Sequence, residues 1–108
     1  MPKTIRSWQT QIHALARESG WWEEEVPTMQ ALCLIHCEIS EAVEEFRSNR
    51  TELYYDKDKP EGMFVELADA VIRILDFCEH HKVDLEHLIA LKHQYNKTRP
   101  YRHGGKKA

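Results

Sequence analysis

Apolar residues recur every three or four positions along most of the chain, which is the period of an amphipathic α-helix, whereas the alternation typical of strands is nearly absent. The first such stretch follows Thr4, a residue type that caps helix N-termini, and stops before Gly20, which favours a helix end. It predicts a helix whose inward face consists of Ile5, Trp8, Ile12, Leu15 and Ala16.

The same period predicts three further helices. The second covers residues 28 to 47, the third starts near Pro60 and runs to about His81, and the fourth is capped by Asp84 and ends at Arg99. Apolar stripes on the second and third helices are expected to form the core. They are Leu32, Ile35, Ile39, Val43 and Phe46 on the second helix, and Phe64, Leu67, Val71, Ile74, Leu75 and Cys78 on the third.

Four helices with short or medium connections predict an all-α fold, arranged as an antiparallel four-helix bundle. Residues 1 to 108 are expected to form one domain that ends in a basic tail at residues 100 to 108. The connection at residues 48 to 60 is long, polar and contains two tyrosines. A long connection in a small helical domain is often functional, so this segment is a candidate lid.

Composition and charge narrow the class of protein. The 108 residues are 42% hydrophobic and 31% charged, which is typical of one globular domain. The net charge of −3 divides unevenly, because residues 1 to 91 carry 18 acids and 9 bases (−9) while residues 92 to 108 carry 6 bases and no acid (+6). An acidic body beside a basic end can hold divalent cations next to phosphates, although the same charges also suit a solubilising surface with a basic tail.

We expect a cytoplasmic protein with no membrane partner. The longest apolar run, residues 31 to 35, is far shorter than the ~20 residues that span a bilayer. The first residues show no signal-peptide core. Three cysteines without framework spacing indicate a reducing compartment.

Two rows of acids are the first candidate site. On each of two helices they fall within about 60° to 80° of one another, so like charges three or four residues apart repel unless a cation lies between them. Carboxylate-only ligation favours Mg²⁺ or Mn²⁺ over zinc, whereas the alternative interpretation is a solvated acidic surface. The rows are Glu38, Glu41 and Glu45 on the second helix and Glu66, Asp69 and Asp76 on the third, with Arg73 among the latter.

The fourth helix changes character along one face. Leu85, Leu88 and Ile89 start a face that continues through Lys92, Asn96 and Arg99. Burying these polar groups without partners is costly, so this end either protrudes or meets an anion. Phosphate suits the fork of arginine and the point charge of lysine.

Other candidate sites are weaker. Two groups of cysteine and histidine residues are candidate zinc sites. The alternative interpretation is that their cysteines are buried free thiols. A ferritin-like di-iron bundle is excluded, because Glu-x-x-His does not occur in the chain. Trp21 and Trp22 are candidates for stacking on a nucleobase, or else for a core or subunit contact. The two zinc candidates are Cys33, His36 and Cys37, and Cys78, His80 and His81.

The combined pattern resembles the MazG-like, all-α nucleoside triphosphate pyrophosphohydrolases. Glu38-Ile39-Ser40-Glu41 is followed, after 24 residues, by Glu66-Leu67-Ala68-Asp69. Downstream, the Lys/Asn/Arg pattern is matched by Lys92, Asn96 and Arg99. The similarity extends over about three-quarters of the chain, which carries one helical domain where larger members have two in tandem.

This resemblance implies hydrolysis of a nucleoside triphosphate to the monophosphate and pyrophosphate. It implies Mg²⁺ held by Glu38, Glu41, Glu66 and Asp69, with Glu38 or Glu41 as base. Lys92 and Arg99 would share phosphate charge, and Asn96 would bind a phosphate or sugar oxygen. Trp22 is the expected aromatic contact to the substrate, from the stacking considered above. Family members assemble as dimers or dimers of dimers, so a homodimer or homotetramer is expected.

The main alternative is a catalytically inactive helical binding protein. Its basic C-terminal end would contact nucleic acid or a partner protein, with steep salt dependence through residues 97 to 107 and no need for metal. On the pyrophosphohydrolase interpretation, nucleic acid is not an expected partner.

Overall fold

The computed structural model describes residues 3 to 101 and is mostly helical. The prediction of an all-α class with four helices is confirmed, and a short hairpin is added to it. Within the described residues, no helix combines the length and apolarity needed to cross a bilayer. The elements are α1 (Ile5–Glu18), α2 (Thr28–Arg47), β1 (Tyr54–Asp56), β2 (Lys59–Glu61), α3 (Met63–His80) and α4 (Leu85–Lys97).

Helices α1 and α4 begin at their predicted caps. The Thr4 hydroxyl accepts from the Ser7 amide at 3.1 Å, while the Ser7 hydroxyl accepts from the Thr4 amide at 2.9 Å. The Asp84 carboxylate accepts from the His87 amide at 3.3 Å. Beyond α1, Gly20 has a φ of +86°, which a residue without Cβ adopts most easily. Local side-chain chemistry therefore sets these helix ends.

The start of the third helix differs from the prediction. Pro60 lies in β2, paired with Tyr55, and α3 begins only at Met63. A two-stranded hairpin has two edge strands, where a residue without N–H is tolerated. Lys57 turns the chain between the strands with a φ of +59°. The proline that suggested a helix start belongs to this antiparallel pair.

The hairpin lies almost entirely within the segment predicted as a candidate lid and is anchored to the end of α2. The Arg50 guanidinium and the Tyr54 hydroxyl both donate to the Glu45 carboxylate, at 2.9 and 3.0 Å. The Met63 amide donates to the Arg50 carbonyl at 3.0 Å. At Gly62, φ is +128° and a Cβ would lie 2.6 Å from a backbone carbonyl oxygen in the preceding loop. Glycine is therefore required where the hairpin joins α3.

Helix α3 is the central element. It packs against both α2 and α1, whereas the principal contact of α4 is with α1. Few apolar side chains are fully buried where these helices meet. They are Ala31 and Ala42 of α2, and Ala70 and Leu75 of α3.

The apolar stripes on α2 and α3 do not face this interior, so their predicted inward orientation is wrong for most members. Small alanines and acids occupy the contact between the helices instead, because short side chains let the two backbones approach. Ile35, Ile74 and Cys78 are half-buried, and only Leu75 of the predicted stripes is fully buried. The exposed members are Leu32, Ile39, Val43 and Phe46 of α2, and Phe64, Leu67 and Val71 of α3.

The chain exposes more surface than a compact monomer of its size. Its accessible area is 8743 Å², against about 6,300 Å² expected for 12.8 kDa. The radius of gyration is 16.4 Å, against about 13 Å for a compact domain of this length. The difference matches the exposed apolar stripes, since side chains that would fill a core lie on the outside.

One fully buried polar residue ties α1 to the connection between α3 and α4. The Gln9 amide donates to the Val83 carbonyl at 2.6 Å and to the Glu79 carboxylate at 3.0 Å, and accepts from the Leu85 amide at 3.3 Å. Every polar atom of the side chain is therefore satisfied. This role could not be predicted from the sequence, because a single glutamine on an otherwise apolar helical face does not indicate it.

Candidate metal centre

Helices α2 and α3 bring three of the four carboxylates of the paired motifs together. One oxygen from each of Glu38, Glu66 and Asp69 lies within 4.8 Å of the others. Glu38 and Glu66 are buried, and Asp69 is half-buried. Helical spacing places Glu66 and Asp69 on adjacent turns of one face, while α2 presents Glu38 to them across the alanine-lined contact. This group is called the carboxylate cluster below.

Glu41 lies at the edge of the carboxylate cluster. Its side chain is exposed, and it neighbours Glu66 closely enough to hydrogen-bond it and raise its pKa. All four residues of the two motifs are thus in one region, with three carboxylates inside and one at the rim. Most of the acidic side chains of this region therefore lie between α2 and α3.

The electrostatics of this cluster are unfavourable without a cation. Burial, followed by the nearby Glu41, Asp69 and Glu38, raises the pKa of Glu66 to about 7. Burial and the charge of Glu38 also raise the pKa of Asp69, although Arg73 and Lys59 act in the opposite direction. Glu66 lies in the first turn of α3, where the helix dipole favours a charged carboxylate. Burial and the neighbouring negative charges raise the pKa of Glu66 by more than the helix dipole lowers it.

One cation of the chain enters the cluster. The Arg73 guanidinium donates from Nε to Glu38 Oε1 at 2.8 Å, and its side chain is 38% exposed. Within residues 3 to 101, neither Glu66 nor Asp69 forms an ion pair as close as this one. A hard divalent cation with oxygen ligands suits such a donor set of close carboxylates.

A second group of acids has partners of its own. Glu45, Glu61 and Glu66 also bring oxygens within 4.8 Å of one another. However, the Arg50 guanidinium, which donates to Glu45, lowers the pKa of that carboxyl although its burial acts in the opposite direction. The Lys59 ammonium lies 3.0 Å from Glu61 Oε1, an ion pair without hydrogen-bond geometry. We therefore assign Glu45 and Glu61 to holding the hairpin.

Asp76 was predicted to extend the acidic row of α3, but the structure gives it different partners. The Trp22 indole N–H donates to both of its oxygens, at 2.9 and 3.0 Å, and His13 Nδ1 lies 2.7 Å from Oδ1. Trp22 also stacks on His80, with ring centroids 3.7 Å apart. This group, His13, Trp22, Asp76 and His80, is called the aromatic cluster below.

A cavity of about 600 Å³ joins the two clusters. By position along α3, Asp69 and Arg73 lie on the side of the carboxylate cluster, with Glu38 of α2, and we call this part the charged end. The part beside the aromatic cluster, which includes Phe77, is called the apolar end. Asp76 and Trp22 belong to this second part of the wall. The cavity therefore offers a charged end and an apolar end connected along α3. Its large apolar lining residues, besides Trp22, are Trp8, Ile12, Leu15, Trp21, Leu34, Ile72 and Phe77.

The predicted phosphate-binding residues of α4 lie elsewhere in the single chain. Helix α4 ends at Lys97, two residues before the predicted end at Arg99. Lys92 of α4 and Arg99 just beyond it lie over the Tyr95 ring, 5.1 and 5.9 Å from its centroid. Asn96 is exposed, and no residue of α4 is fully buried. The cations that the structure places near the carboxylates are Arg73 and Lys59. Arg73 was evident from the helical spacing, whereas Lys59 gave no signal because the hairpin was not predicted.

The remaining candidates form no comparable site within residues 3 to 101. Cys33 and Cys37 are exposed, and burial raises the pKa of the half-buried Cys78. None of the cysteines belongs to a group of three converging metal-ligating side chains among the described residues. Of the basic tail at residues 100 to 108, all but Pro100 and Tyr101 lies outside the described residues.

Comparison of the chain with protein-family models, with curated proteins and with solved structures finds no match. The carboxylate cluster, the cavity and the exposed helix faces are therefore the features of the molecule that indicate its function.

Proposed function

We propose that the protein is a Mg²⁺-dependent nucleoside triphosphate pyrophosphohydrolase of the MazG-like type. The observation that carries this proposal is the convergence of Glu38, Glu66 and Asp69 at the charged end of the cavity. The raised pKa of Glu66 supports it, since the cluster lacks the positive charge that would let all its carboxyls ionise. These residues fit Mg²⁺, with Mn²⁺ as a substitute, because they offer only carboxylate oxygens.

When bound, Mg²⁺ would neutralise phosphate charge and polarise the α-phosphate. Glu38, Glu66 and Asp69 would hold the ion, with Glu41 completing the set from the rim. Glu38 is engaged by Arg73, so we assign the role of general base to Glu41, which is exposed and forms no ion pair within the part of the chain that the structure describes. It would accept a proton from the water that attacks the α-phosphorus while the bond to the bridging oxygen of pyrophosphate breaks.

The rest of the nucleotide would extend into the cavity. The apolar end, with Trp22 in its wall, suits a nucleobase, which is flat and largely apolar on its faces. Arg73 lies between the two ends and is available to the phosphates once Mg²⁺ has taken over the charge of Glu38. The expected setting is the cytoplasm, where such nucleotides occur.

The activity assay measures pyrophosphate release from a panel of ribo- and deoxyribonucleoside triphosphates in the presence of Mg²⁺. Asp69→Asn and Glu41→Gln are each expected to lower the rate by about 10²-fold or more, because one removes a metal ligand and the other the base. Glu44→Gln is the matched control, since this α2 side chain is 69% exposed. Cleavage of no nucleotide, or full activity in both variants, would contradict the proposal.

We further propose that the protein is a homodimer or homotetramer in which the antiparallel bundle is completed between subunits. The exposed stripes of α2 and α3 and the excess surface of about 2,400 Å² over a compact monomer support this assembly. An obligate interface buries areas of that order and is apolar. Packing of α4 in the oligomer would cover Leu88 and Ile89 and place Lys92, Asn96 and Arg99 beside the phosphates.

The mass in solution, measured by light scattering after size exclusion, tests this assembly. Val43→Glu, in the middle of the α2 stripe and 48% exposed in the single chain, is expected to give monomer or unfolded protein. Gln30→Glu adds the same charge on the opposite side of α2 and should keep the wild-type mass. A monomeric wild type, or an unchanged mass for Val43→Glu, would refute the assembly.

A further inference from the structure

The geometry of α3 fixes the distance between the aromatic cluster and the carboxylate cluster. Asp69 and Asp76 are seven residues apart on α3, which is two turns and about 10.5 Å along the axis, on nearly the same face. Both line the same cavity. An extended nucleotide covers a comparable distance from its α-phosphorus to the far edge of its base, so a base held at the apolar end would bring that edge near Asp76.

Asp76 is a fixed hydrogen-bond acceptor in the cavity wall. Its side chain is 19% exposed, and its oxygens receive two hydrogen bonds from Trp22 and one from His13. A carboxylate has about four acceptor positions, so one remains. Because a carboxylate only accepts, the facing Nδ1 of His13 carries a proton. Trp22 is itself held by stacking on His80, so the carboxylate and its supports form one preorganised group.

Only a donor can use the remaining acceptor position. At the far edge of the base, cytosine and adenine carry an amino group, N4 and N6 respectively. Uracil and thymine carry the carbonyl O4 at the position of the cytosine amino group. A carbonyl facing the carboxylate would bring two acceptors together, with no proton to bridge them. A site built for a hydrogen bond rejects analogues that lack it more strongly than an apolar pocket does.

We propose that Asp76 selects nucleotides whose base bears an exocyclic amino group over those with a carbonyl at that position, with Trp22 and His13 as positioning residues. This inference rests on the proposed function, because it assumes that the apolar end of the cavity receives the base. It assigns a substrate class to that site: nucleotides of cytosine or adenine, in preference to those of uracil or thymine.

The test is a calorimetric titration of the wild-type protein with CMP and UMP, which need no turnover. At the base they differ in the C4 substituent and in N3, which carries a proton only in uracil, and the pyrimidin-2-one analogue shares the unprotonated N3 of CMP. CMP is expected to bind at least about tenfold more tightly, the ratio given by roughly 1.4 kcal/mol of discrimination. The monophosphate of pyrimidin-2-one riboside has hydrogen in place of the amino group and should bind as weakly as UMP. Equal affinities for all three would overturn the inference.

Two variants test whether Asp76 and Trp22 are responsible for the preference for CMP over UMP. Asp76→Asn can donate to O4, so it should lower the CMP to UMP affinity ratio below that of the wild type. Trp22→Phe keeps a ring but removes the indole N–H, so the ratio should fall although CMP still binds. Glu23→Gln, an exposed acid next to Trp22, is the control and should leave the ratio unchanged. An unchanged ratio in both test variants would also overturn the inference.

The result separates this inference from the proposed function. If pyrophosphate is released from nucleoside triphosphates but CMP and UMP bind alike, Asp76 does not select the base and the hydrolase assignment stands. If neither monophosphate binds and no triphosphate is cleaved, the proposed function itself fails. If Asp76→Asn does not fold, the wild-type comparison of the three monophosphates still decides the matter.

Discussion

Replacing Glu66 by glutamine should stabilise the protein without divalent ions and abolish its stabilisation by Mg²⁺. Glu66 is buried and surrounded by Glu38, Glu41 and Asp69, and its pKa is raised to about 7. Glutamine has nearly the same shape, carries no charge and can donate to a neighbouring carboxylate. The substitution therefore removes the repulsion while keeping the packing.

The magnitude follows from the linkage between protonation and folding. The carboxyl holds its proton in the folded state at pH values where the unfolded chain releases it, so stability falls as pH rises from about 4.5 to about 7. A shift of that size corresponds to about 3 kcal/mol before screening, and access of water to the cleft reduces it to roughly 1–2 kcal/mol. Loss of a negative charge in the first turn of α3 costs about 0.3–1 kcal/mol. The net expected gain at pH 8 is about 1 kcal/mol.

Urea unfolding at pH 5 and pH 8, with and without Mg²⁺ and at one protein concentration, measures these differences. Without metal, the wild type should lose stability between the two pH values and Glu66→Gln should lose less. With Mg²⁺ at pH 8, only the wild type should gain. The exposed Glu44→Gln serves as control and should follow the wild type within about 0.5 kcal/mol. A Glu66→Gln variant that is less stable than the wild type at pH 8 without metal would refute this reasoning.

Three further substitutions test how the fold positions the site, each by its urea midpoint. Gly62→Ala should cost about 1–3 kcal/mol, because φ is +128° and the new Cβ would meet a carbonyl oxygen at 2.6 Å; a cost below 0.5 kcal/mol, on the order of a surface change, would contradict the geometry. Gln9→Leu should cost about 1–3 kcal/mol, because it leaves the part-buried Val83 carbonyl and Leu85 amide without this partner, and a neutral effect would exclude that anchoring role. Tyr54→Phe should destabilise more than Tyr55→Phe, since only the Tyr54 hydroxyl donates to Glu45, and equal midpoints would show that the hairpin needs no such anchor.

Much of the carboxylate cluster could be predicted because helical geometry is local. The spacing within Glu38-x-x-Glu41 and Glu66-x-x-Asp69 puts each pair on one helical face whatever packs against it. The caps of α1 and α4 are equally local. These features depend on residues within one turn of one another, so they can be read from the sequence.

The orientation of the helices could not be predicted, because it depends on what lies across each face. Apolar stripes indicate burial but not whether the partner is the same chain or another copy, and the stripes of α2 and α3 were assigned to an intrachain core. Buried Ala31, Ala42 and Ala70 were the overlooked signal, since small residues next to acids allow close helix contact. The partners of Asp76 come from residues more than 50 positions away, which spacing does not report.

Crystals of the protein soaked with Mn²⁺ and measured at its absorption edge test the proposed metal centre most directly. We predict an anomalous peak between α2 and α3, within coordination distance of carboxylate oxygens of Glu38, Glu66 and Asp69, that is absent from Asp69→Asn crystals. Ordered crystals that bind Mn²⁺ only at other positions, or that show no peak between the two helices, would contradict the assignment of these carboxylates as metal ligands.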